Sequence, residues 1–214
     1  MLAIPPLPRP EFEARLLRSA PTAELSEAAR AALWAHFEEL RRWAPRVDLI
    51  GPGTVGEVPE RHFGESLAAL AWLPAGPARL LDLGSGAGFP GLVLAAARPD
   101  LEVVLVEPRE RRRAFLAAVA RHSGLRVAIL AARVAAGALD EFPDRIAVVT
   151  VRALRLEPAD WSALAARLLP GATLLLWSGE QDPGLPAEFE VGRTQRLAGS
   201  RARILREARL RGAR

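Results

Sequence analysis

The chain has 214 residues, of which half are hydrophobic and a quarter are charged, a composition typical of globular proteins. Cysteine is absent, which excludes disulfides, thiolate metal sites and cysteine nucleophiles. Residues 1–8 lack a cationic leader, no apolar run approaches the roughly 18 residues of a membrane helix, and the three histidines are scattered. We therefore expect a soluble, cytoplasmic protein without a metal or a membrane anchor.

The basic residues are concentrated at one end of the chain. All 29 are arginine, and eight of them lie in residues 193–214 beside a single acid, Glu207. Residues 1–192 carry a small excess of acids instead. A basic segment on a slightly acidic body predicts contact with a polyanion such as a nucleic acid. The alternative is a solvated tail that only aids solubility.

The N-terminal part, residues 10–72, is predicted to be helical. Apolar residues recur at spacings of three and four over residues 24–46, as on one face of a helix. A Gly/Pro-rich connector spans residues 51–56, a second helical stretch spans 57–72, and Pro and Gly at 74–77 mark a boundary. These patterns divide the chain into three parts: an N-terminal helical segment packed on the core, 1–72, a main domain, 73–210, and a basic tail, 211–214.

After residue 78, short apolar runs alternate with helical patterns. Such repeated βα units predict a largely parallel sheet covered by helices. The predicted strands are 79–83, 102–107, 127–130, 146–151 and 172–177. The predicted helices between them are 90–98, 109–122, 133–139 and 158–169. A closing antiparallel hairpin is predicted over 188–197 and 201–210.

The strongest motif is Leu-Leu-Asp-Leu-Gly-Ser-Gly-Ala-Gly-Phe-Pro-Gly at residues 80–91, where the first strand meets its helix. Gly84, Gly86 and Gly88 let the backbone turn sharply and approach a ligand closely, which a β-carbon would block. The stretch from Gly86 to Gly91 also fits the G-x-G-x-x-G dinucleotide fingerprint, but a proline then lies inside the phosphate-binding turn. A nicotinamide cofactor is therefore the weaker alternative, and a glycine-rich turn without a ligand is another.

Two acids flank this turn. Asp82 stands at the carboxyl edge of the first strand, where such sheets bind ligands. The next strand ends in Glu107, whose carboxylate can accept hydrogen bonds from both hydroxyls of a ribose. This arrangement predicts an adenosyl ligand. An acid before the glycines, with Phe89 and a proline closing the turn, favours S-adenosylmethionine.

Residues 82–91 resemble the cofactor motif of the RsmG (GidB) family. Residues 47–50, Val-Asp-Leu-Ile, and 61–66, Arg-His-Phe-Gly-Glu-Ser, are similar to that family's helical segment, and residues 151–153, Val-Arg-Ala, correspond to its S-R-A after the fourth strand. The resemblance extends over about residues 30–206. Members of the family are class I methyltransferases that methylate N7 of a guanine in bacterial 16S ribosomal RNA.

The resemblance implies a fold, a cofactor and a partner. The fold is α/β and Rossmann-like, with a mostly parallel seven-stranded sheet and an N-terminal helical extension. The cofactor is S-adenosylmethionine, and the partner is 16S ribosomal RNA or the small-subunit particle. The positions that fall on cofactor contacts of the family are Gly84, Phe89, Val134, Ala135 and Arg152.

Five positions depart from the family pattern. Where the family has asparagine, aspartate, an acid, lysine and histidine, this chain has Asp48, Glu65, Ala135, Ser178 and Ala202. Two alternatives therefore stay open. One is a related methyltransferase with another substrate, and the other is a protein that retains the cofactor and binds RNA or the ribosome without turnover.

The residue types also bear on the chemistry. N7 of guanine already presents a lone pair, so methyl transfer there needs alignment and charge stabilisation rather than a general base. The chain lacks the cysteine that carbon-5 methylation of pyrimidines requires. Arg152 is the candidate cation of the site, its alternative being a surface arginine paired with Glu157. His62 is a second catalytic candidate, its alternative being a packing histidine.

RNA contact is predicted at two places. Arg109, Arg111 and Arg112 stand at the start of a helix, where positive charge opposes the helix dipole, so they either contact phosphates or form a solvated helix end. In the closing hairpin, strand alternation places Arg201 and Arg203 on one face. We expect the protein to act as a monomer.

Overall fold

The computed structural model describes residues 2–135, 139–181, 184–200 and 202–211. Its strands in these ranges are β1 (Ala78–Leu83), β2 (Leu101–Val106), β3 (Val127–Leu130), β4 (Ile146–Arg152), β5 (Leu168–Ser178), β6 (Phe189–Arg196) and β7 (Ile204–Leu210). They form a seven-stranded sheet in the order β3-β2-β1-β4-β5-β7-β6. Strands β1 to β5 are parallel, β7 runs antiparallel to β5, and β6 runs antiparallel to β7. The predicted mostly parallel sheet and its closing antiparallel hairpin are confirmed.

Helices cover the sheet and form the N-terminal segment. The α-helices in the described ranges are α1 (Arg9–Ser19), α2 (Glu27–Trp43), α3 (Glu65–Leu67), α4 (Gly91–Ala97), α5 (Glu110–Ser123) and α6 (Pro158–Ala165). Helix α2 begins where Ser26 caps it, its side chain accepting a hydrogen bond from the backbone N–H of Ala29. The helix predicted over 24–46 is therefore shorter by a few residues at each end.

The segment after α2 differs from the prediction. The expected connector forms a 3₁₀ helix, Pro52–Glu57. The expected single helix over 57–72 is divided into a π turn, Pro59–Gly64, the short α3 and a 3₁₀ turn, Leu70–Trp72. Gly64 packs so closely on α1 that a β-carbon there would overlap the side chain of Ser19. Packing against α1 thus decides a local geometry that helical periodicity alone did not indicate.

Two further helix predictions are wrong in part. Residues 131–135 are not helical, and the remainder of the helix predicted over 133–139 includes residues 136–138, outside the described ranges. Residues 132–134 instead line a cavity at the carboxyl end of β3. The helix predicted over 158–169 ends at Ala165, because β5 already begins at Leu168.

The core lies on both faces of the sheet. Neighbouring strand residues point to opposite faces, so Leu80 joins one hydrophobic cluster and Leu81 the other. The first cluster combines Phe12 and Leu33 of the N-terminal segment with Phe115 of α5. The N-terminal segment thus shares a core with the α4–α5 face of the sheet. The division at residues 72 and 210 stays a prediction, and residues 212–214 of the basic tail lie outside the described ranges.

The strand order determines where a ligand can bind. The chain proceeds outward from β1 through β2 to β3 and then returns to β4, on the other side of β1. In open α/β sheets ligands bind at the carboxyl ends of the strands beside such a reversal. The described residues contain neither a helix long and apolar enough to cross a membrane nor a group of three or more metal-ligating side chains.

Candidate active site

The glycine turn, residues 84–90, connects β1 to α4 and is held at the end of β2. Gly84, Gly86 and Gly88 have φ angles of +69°, +53° and +81°, which L side chains rarely adopt. The N–H of Gly84 donates to the carbonyl of Val106 at 2.9 Å, and the N–H of Gly86 donates to Oε2 of Glu107 at 2.9 Å. The end of the second strand therefore sets the shape of the turn.

Glu107 lies buried directly after β2. Its other carboxylate oxygen, Oε1, accepts a hydrogen bond from the backbone N–H of Arg109 at 2.9 Å. Both oxygens are thus oriented by backbone amides, and each keeps a further lone pair for another donor. These two acceptors fit the hydroxyl groups of a ribose, which would donate to them, and the contact itself stays a prediction.

One cavity adjoins the turn, and a second cavity lies next to the first. The first, of about 160 Å³, is lined by Gly84, Val106 and Val134 among others. The second, of about 210 Å³, lies at the end of β5 beside Trp177. Residues 154–156 line both cavities. The predicted contact at Val134 thus lies in a cavity wall beside the glycine turn, and Ala135 follows it, half-buried.

Asp82 lies beneath the turn with only 1% of its surface exposed. Its Oδ1 accepts a hydrogen bond from the hydroxyl of Thr150 at 2.7 Å, while Oδ2 lies against the backbone of Gly91. Burial raises the pKa of Asp82 to about 6, although the bond from Thr150 opposes this shift. A β-carbon at Gly91 would lie 2.6 Å from Oδ2. Asp82 therefore supports the turn from below, and a direct cofactor contact stays a prediction.

A stack of three rings ties the N-terminal segment to the turn. The rings of His36 and His62 both stack on Phe89, with centroid distances of 4.8 and 5.0 Å. Nε2 of His36 donates to the carbonyl of Ala87 at 2.8 Å, and Nε2 of His62 lies 2.9 Å from Oγ1 of Thr54. Burial lowers the pKa of His36 to about 4 and that of His62 to about 3. Both rings are therefore neutral at neutral pH.

His36 was not predicted as a site residue, although the sequence holds a signal for it. It stands on the apolar stripe of α2, between Leu33 and Phe37, where a polar side chain must be buried. A buried polar group needs a hydrogen-bond partner. That partner, Ala87, lies 51 positions away and was not visible in the pattern.

Arg152 belongs to a buried ion cluster around Glu65. Its Nη2 lies 2.8 Å from Oε2 of Glu65, and Nε of Arg203 lies 2.6 Å from Oε1. Arg152 also donates to the carbonyl of Arg61 at 2.7 Å. The alternative partner, Glu157, instead forms the capping box of α6. Arg152 therefore connects the end of β4 to the N-terminal segment.

The same cluster includes the closing hairpin. Arg203 precedes β7, which begins at Ile204, so the argument from strand alternation does not apply to it. The indole Nε1 of Trp177 donates to the carbonyl of Glu65 at 2.9 Å. Arg201 lies outside the described residues. Glu65, known from the sequence only as a departure from a family pattern, is the centre of this cluster.

The arginines at the start of α5 have different surroundings. Arg109 and Arg111 are exposed and make no ion pair within the described part of the chain. Arg112 instead donates to the carbonyl of Asp48 at 2.7 Å and lies 3.2 Å from its carboxylate. It thereby joins the segment after α2 to the helix that follows Glu107. RNA contact at these residues stays a prediction.

Residues 30–183 match the family described as rRNA small subunit methyltransferase G. The chain belongs to this family. A ribosomal RNA small subunit methyltransferase G from Rhodospirillum centenum is 42% identical over 177 residues, which cover 81% of this chain and 77% of the relative. One from Desulfotalea psychrophila is 50% identical over 99 residues, 46% of this chain and 45% of the relative. That match spans less than half the length of the relative.

Solved structures share the fold at low identity. The ribosomal protein L11 methylase of Lactobacillus delbrueckii subsp. bulgaricus has a TM-score of 0.55 at 11% identity, covering 71% of this chain and 79% of its own. TrmN from Thermus thermophilus has a TM-score of 0.56 at 19% identity, and the match covers 69% of this chain and 48% of TrmN. The predicted family and the class I methyltransferase fold are confirmed, and membership of the rRNA small subunit methyltransferase G family makes this chain a methyltransferase.

Proposed function

We propose that this chain transfers a methyl group from S-adenosylmethionine to N7 of a guanine in 16S ribosomal RNA. The observation that carries the proposal is the glycine turn anchored to Glu107 at the carboxyl edge of the sheet, in a member of this family. The apolar wall at Val106 and Val134 suits an adenine, and the Glu107 carboxylate suits the ribose. Gly86, at a φ of +53° and without a β-carbon, suits the close approach of the rest of the cofactor to the backbone.

The residues around this site serve alignment. Bound S-adenosylmethionine supplies an electrophilic methyl group, and N7 of guanine brings its own lone pair, so no side chain has to remove a proton. A neutral His62, stacked on Phe89, can form an uncharged wall for the base. Arg152 is held in place by its ion pair with Glu65. From the end of β4 its guanidinium can interact with the carboxylate of the methionine moiety or with the guanine. We keep both as the candidate catalytic residues.

At one position that departs from the family pattern, a cation from a neighbouring strand stands beside the residue that replaces the family lysine. Ser178 stands where the family has lysine, and Nη1 of Arg206 donates to its hydroxyl. The guanidinium of Arg206 also donates to the carbonyls of Gly179 at 2.7 Å and Glu180 at 2.9 Å. A cation from β7 thus stands beside the turn after β5. This supports an active enzyme over a protein that binds without turnover.

The function is tested by incubating the protein with labelled S-adenosylmethionine and either small-subunit RNA or the intact particle. Nuclease digestion and mass spectrometry then identify the modified base. We expect label as N7-methylguanosine, and label on another atom, in another molecule or nowhere would contradict the proposal. Gly86→Val is the matched control, because valine at a φ of +53° is strained and should abolish cofactor binding in a folded protein.

The proposed function also implies a partner, a cellular compartment and an oligomeric state. The partner is 16S ribosomal RNA or the small-subunit particle, the compartment is the cytoplasm, and the protein acts as a monomer. Among the predicted RNA contacts, Arg109 and Arg111 offer exposed guanidinium groups beside the cofactor site. Arg203 lies in the ion cluster, and its RNA contact would require that the Glu65 pair be shared or released.

A further inference from the structure

A groove of about 920 Å³ lies between α2 and α5. We call it the α2–α5 groove, and its cationic and aromatic lining consists of Arg42, Trp43, Arg46, Arg111, Arg121 and His122. Three of these, Arg46, Arg111 and Arg121, are exposed, and their side chains make neither an ion pair nor a hydrogen bond within the described ranges. Their guanidinium donors are therefore available to a ligand.

The carboxylate that lines the groove, Glu39, is already satisfied. Its oxygens lie 2.8 Å from Nη1 of Arg42 and 3.1 Å from Nδ1 of His122, and Oε2 accepts from Nε1 of Trp43 at 2.9 Å. The Glu39 side chain is only 5% exposed. It therefore organises the floor of the groove and leaves the charge of the three free arginines uncompensated.

The groove continues to the cofactor site. A neighbouring depression of about 280 Å³ shares Arg46 and Arg111 with it and adds Arg109 and Arg112, with the acids Glu110 and Asp48, the latter paired with Arg112. The backbone N–H of Arg109 donates to Glu107, and Nη1 of Arg112 lies 3.7 Å from the position that a β-carbon would take at Gly86. A row of arginines thus leads from the far end of α5 to the glycine turn.

We propose that the α2–α5 groove binds the phosphodiester backbone of the substrate RNA beside the point where the target base enters the cleft. The inference rests on the proposed function, since it takes RNA as the substrate. Free arginines in a concave surface attract a polyanion. The half-buried ring of Trp43 adds a face on which an unpaired base can stack, a combination typical of surfaces that bind single-stranded RNA.

The test replaces the three free arginines together, as Arg46→Ala, Arg111→Ala and Arg121→Ala. None of them pairs with a described carboxylate, so the substitution leaves no buried acid alone. We expect at least tenfold weaker binding of protein-free small-subunit RNA, and a salt dependence flattened by roughly 0.7–0.9 for each phosphate that the variant no longer neutralises. KM for RNA should rise while kcat and the calorimetric affinity for S-adenosylmethionine stay unchanged.

The matched control removes the same charge elsewhere, as Arg18→Ala, Arg126→Ala and Arg145→Ala. These arginines are exposed, and their side chains make no ion pair or hydrogen bond in the described part of the chain. Arg126 and Arg145 precede β3 and β4, at the edge of the sheet opposite the glycine turn. The control triple should change RNA affinity by less than about twofold and keep the wild-type salt slope.

Several results would overturn the inference. We call the variant with alanine at positions 46, 111 and 121 the groove triple, and the variant with alanine at 18, 126 and 145 the control triple. Unchanged RNA affinity in the groove triple, or equal losses of affinity in both triples, would mean that the groove is not the binding surface. A dimer in sedimentation experiments that the groove triple dissociates would assign the groove to a second copy of the chain. Failure of the wild-type protein to methylate RNA would contradict the proposed function alone, because the binding comparison between the two triples still decides the role of the groove.

Discussion

The closing hairpin and the α2–α5 groove are both rich in arginine, but their arginines have different surroundings. In the hairpin, Arg193 and Arg209 pair with Glu207 at 2.7 and 3.1 Å. Arg203 pairs with the buried Glu65, and Arg206 donates to the turn after β5. These four hairpin arginines thus already have partners within the chain itself.

The groove shows the reverse. Its wall contains Glu39, which Arg42 and His122 already contact, and the side chains of the exposed Arg46, Arg111 and Arg121 have no partner within the described residues. The density of arginine along the chain is higher in the hairpin, yet the free charge lies in the groove. Charge density in a sequence therefore indicates where cations are, while only the structure shows which of them remain available.

The largest expected effect concerns Glu65, the buried acid that pairs with Arg203 of the hairpin and with Arg152 of β4. Glu65→Gln leaves Arg152 and Arg203 partly buried without their carboxylate, and we expect a loss of about 3–5 kcal/mol in the free energy of unfolding. Urea denaturation followed by tryptophan fluorescence measures it. The control, Glu180→Gln, removes an exposed partner of Arg196 and should cost less than about 1 kcal/mol. Similar losses in both variants would show that the Glu65 cluster does not hold the hairpin.

The second prediction concerns Asp82, a buried acid that, unlike Glu65, has no arginine partner in the described ranges. Asp82 beneath the glycine turn makes no ion pair in the described ranges, and its pKa is raised from 3.8 to about 6. The unfolded chain therefore releases its proton first, and stability falls as the pH rises from about 4 to 6. Asp82→Asn removes this fall, so its unfolding free energy relative to wild type should rise by up to about 3 kcal/mol over that range. A difference that does not vary with pH would contradict the raised pKa.

A third prediction concerns the cofactor. Glu107→Ala removes the acceptor proposed for the ribose and the anchor of Gly86, so S-adenosylmethionine should bind about 1.5–3 kcal/mol more weakly. Isothermal titration calorimetry measures this. Glu207→Ala, at the hairpin, should leave the cofactor affinity unchanged. Wild-type affinity in a folded Glu107→Ala protein would exclude Glu107 as the ribose ligand.

The smallest effect is expected from the exposed arginines of the hairpin. Replacing Arg193 and Arg209 with alanine should change RNA affinity by less than about twofold, because their charge already serves Glu207. Hydrogen bonds from Arg193 hold the pKa of Glu207 at about 2, against an ordinary value of 4.5. That contribution to stability is present above pH 4.5 and is lost as the pH falls towards 2.

Thermal unfolding at pH 3 and pH 5.5 checks this point. The gain in Tm between the two values should be smaller in the double variant than in wild type. If the double variant instead binds RNA as weakly as the groove triple, the hairpin and the groove contribute equally and the comparison fails.

Much of the fold could be predicted because its signals are local. The glycines of the turn, each apolar run of β1 to β5 and the apolar period of α2 are signals between residues that lie only a few positions apart along the chain. Predictions failed where distant packing decides the geometry. The helix expected over 57–72 is divided where Gly64 meets Ser19, and the residues after β3 line a cavity rather than forming a helix.

By itself, the sequence determined the order of strands and helices, the glycine turn and the acid after the second strand, since each depends on residue types at fixed short spacings. Tertiary structure alone decided which charges and rings meet. Glu65 contacts arginines 87 and 138 positions away, and His36 contacts a carbonyl 51 positions away. Hydrogen bonds and ion pairs act over a few ångströms in space, so a pattern along the chain cannot show which partners folding brings together.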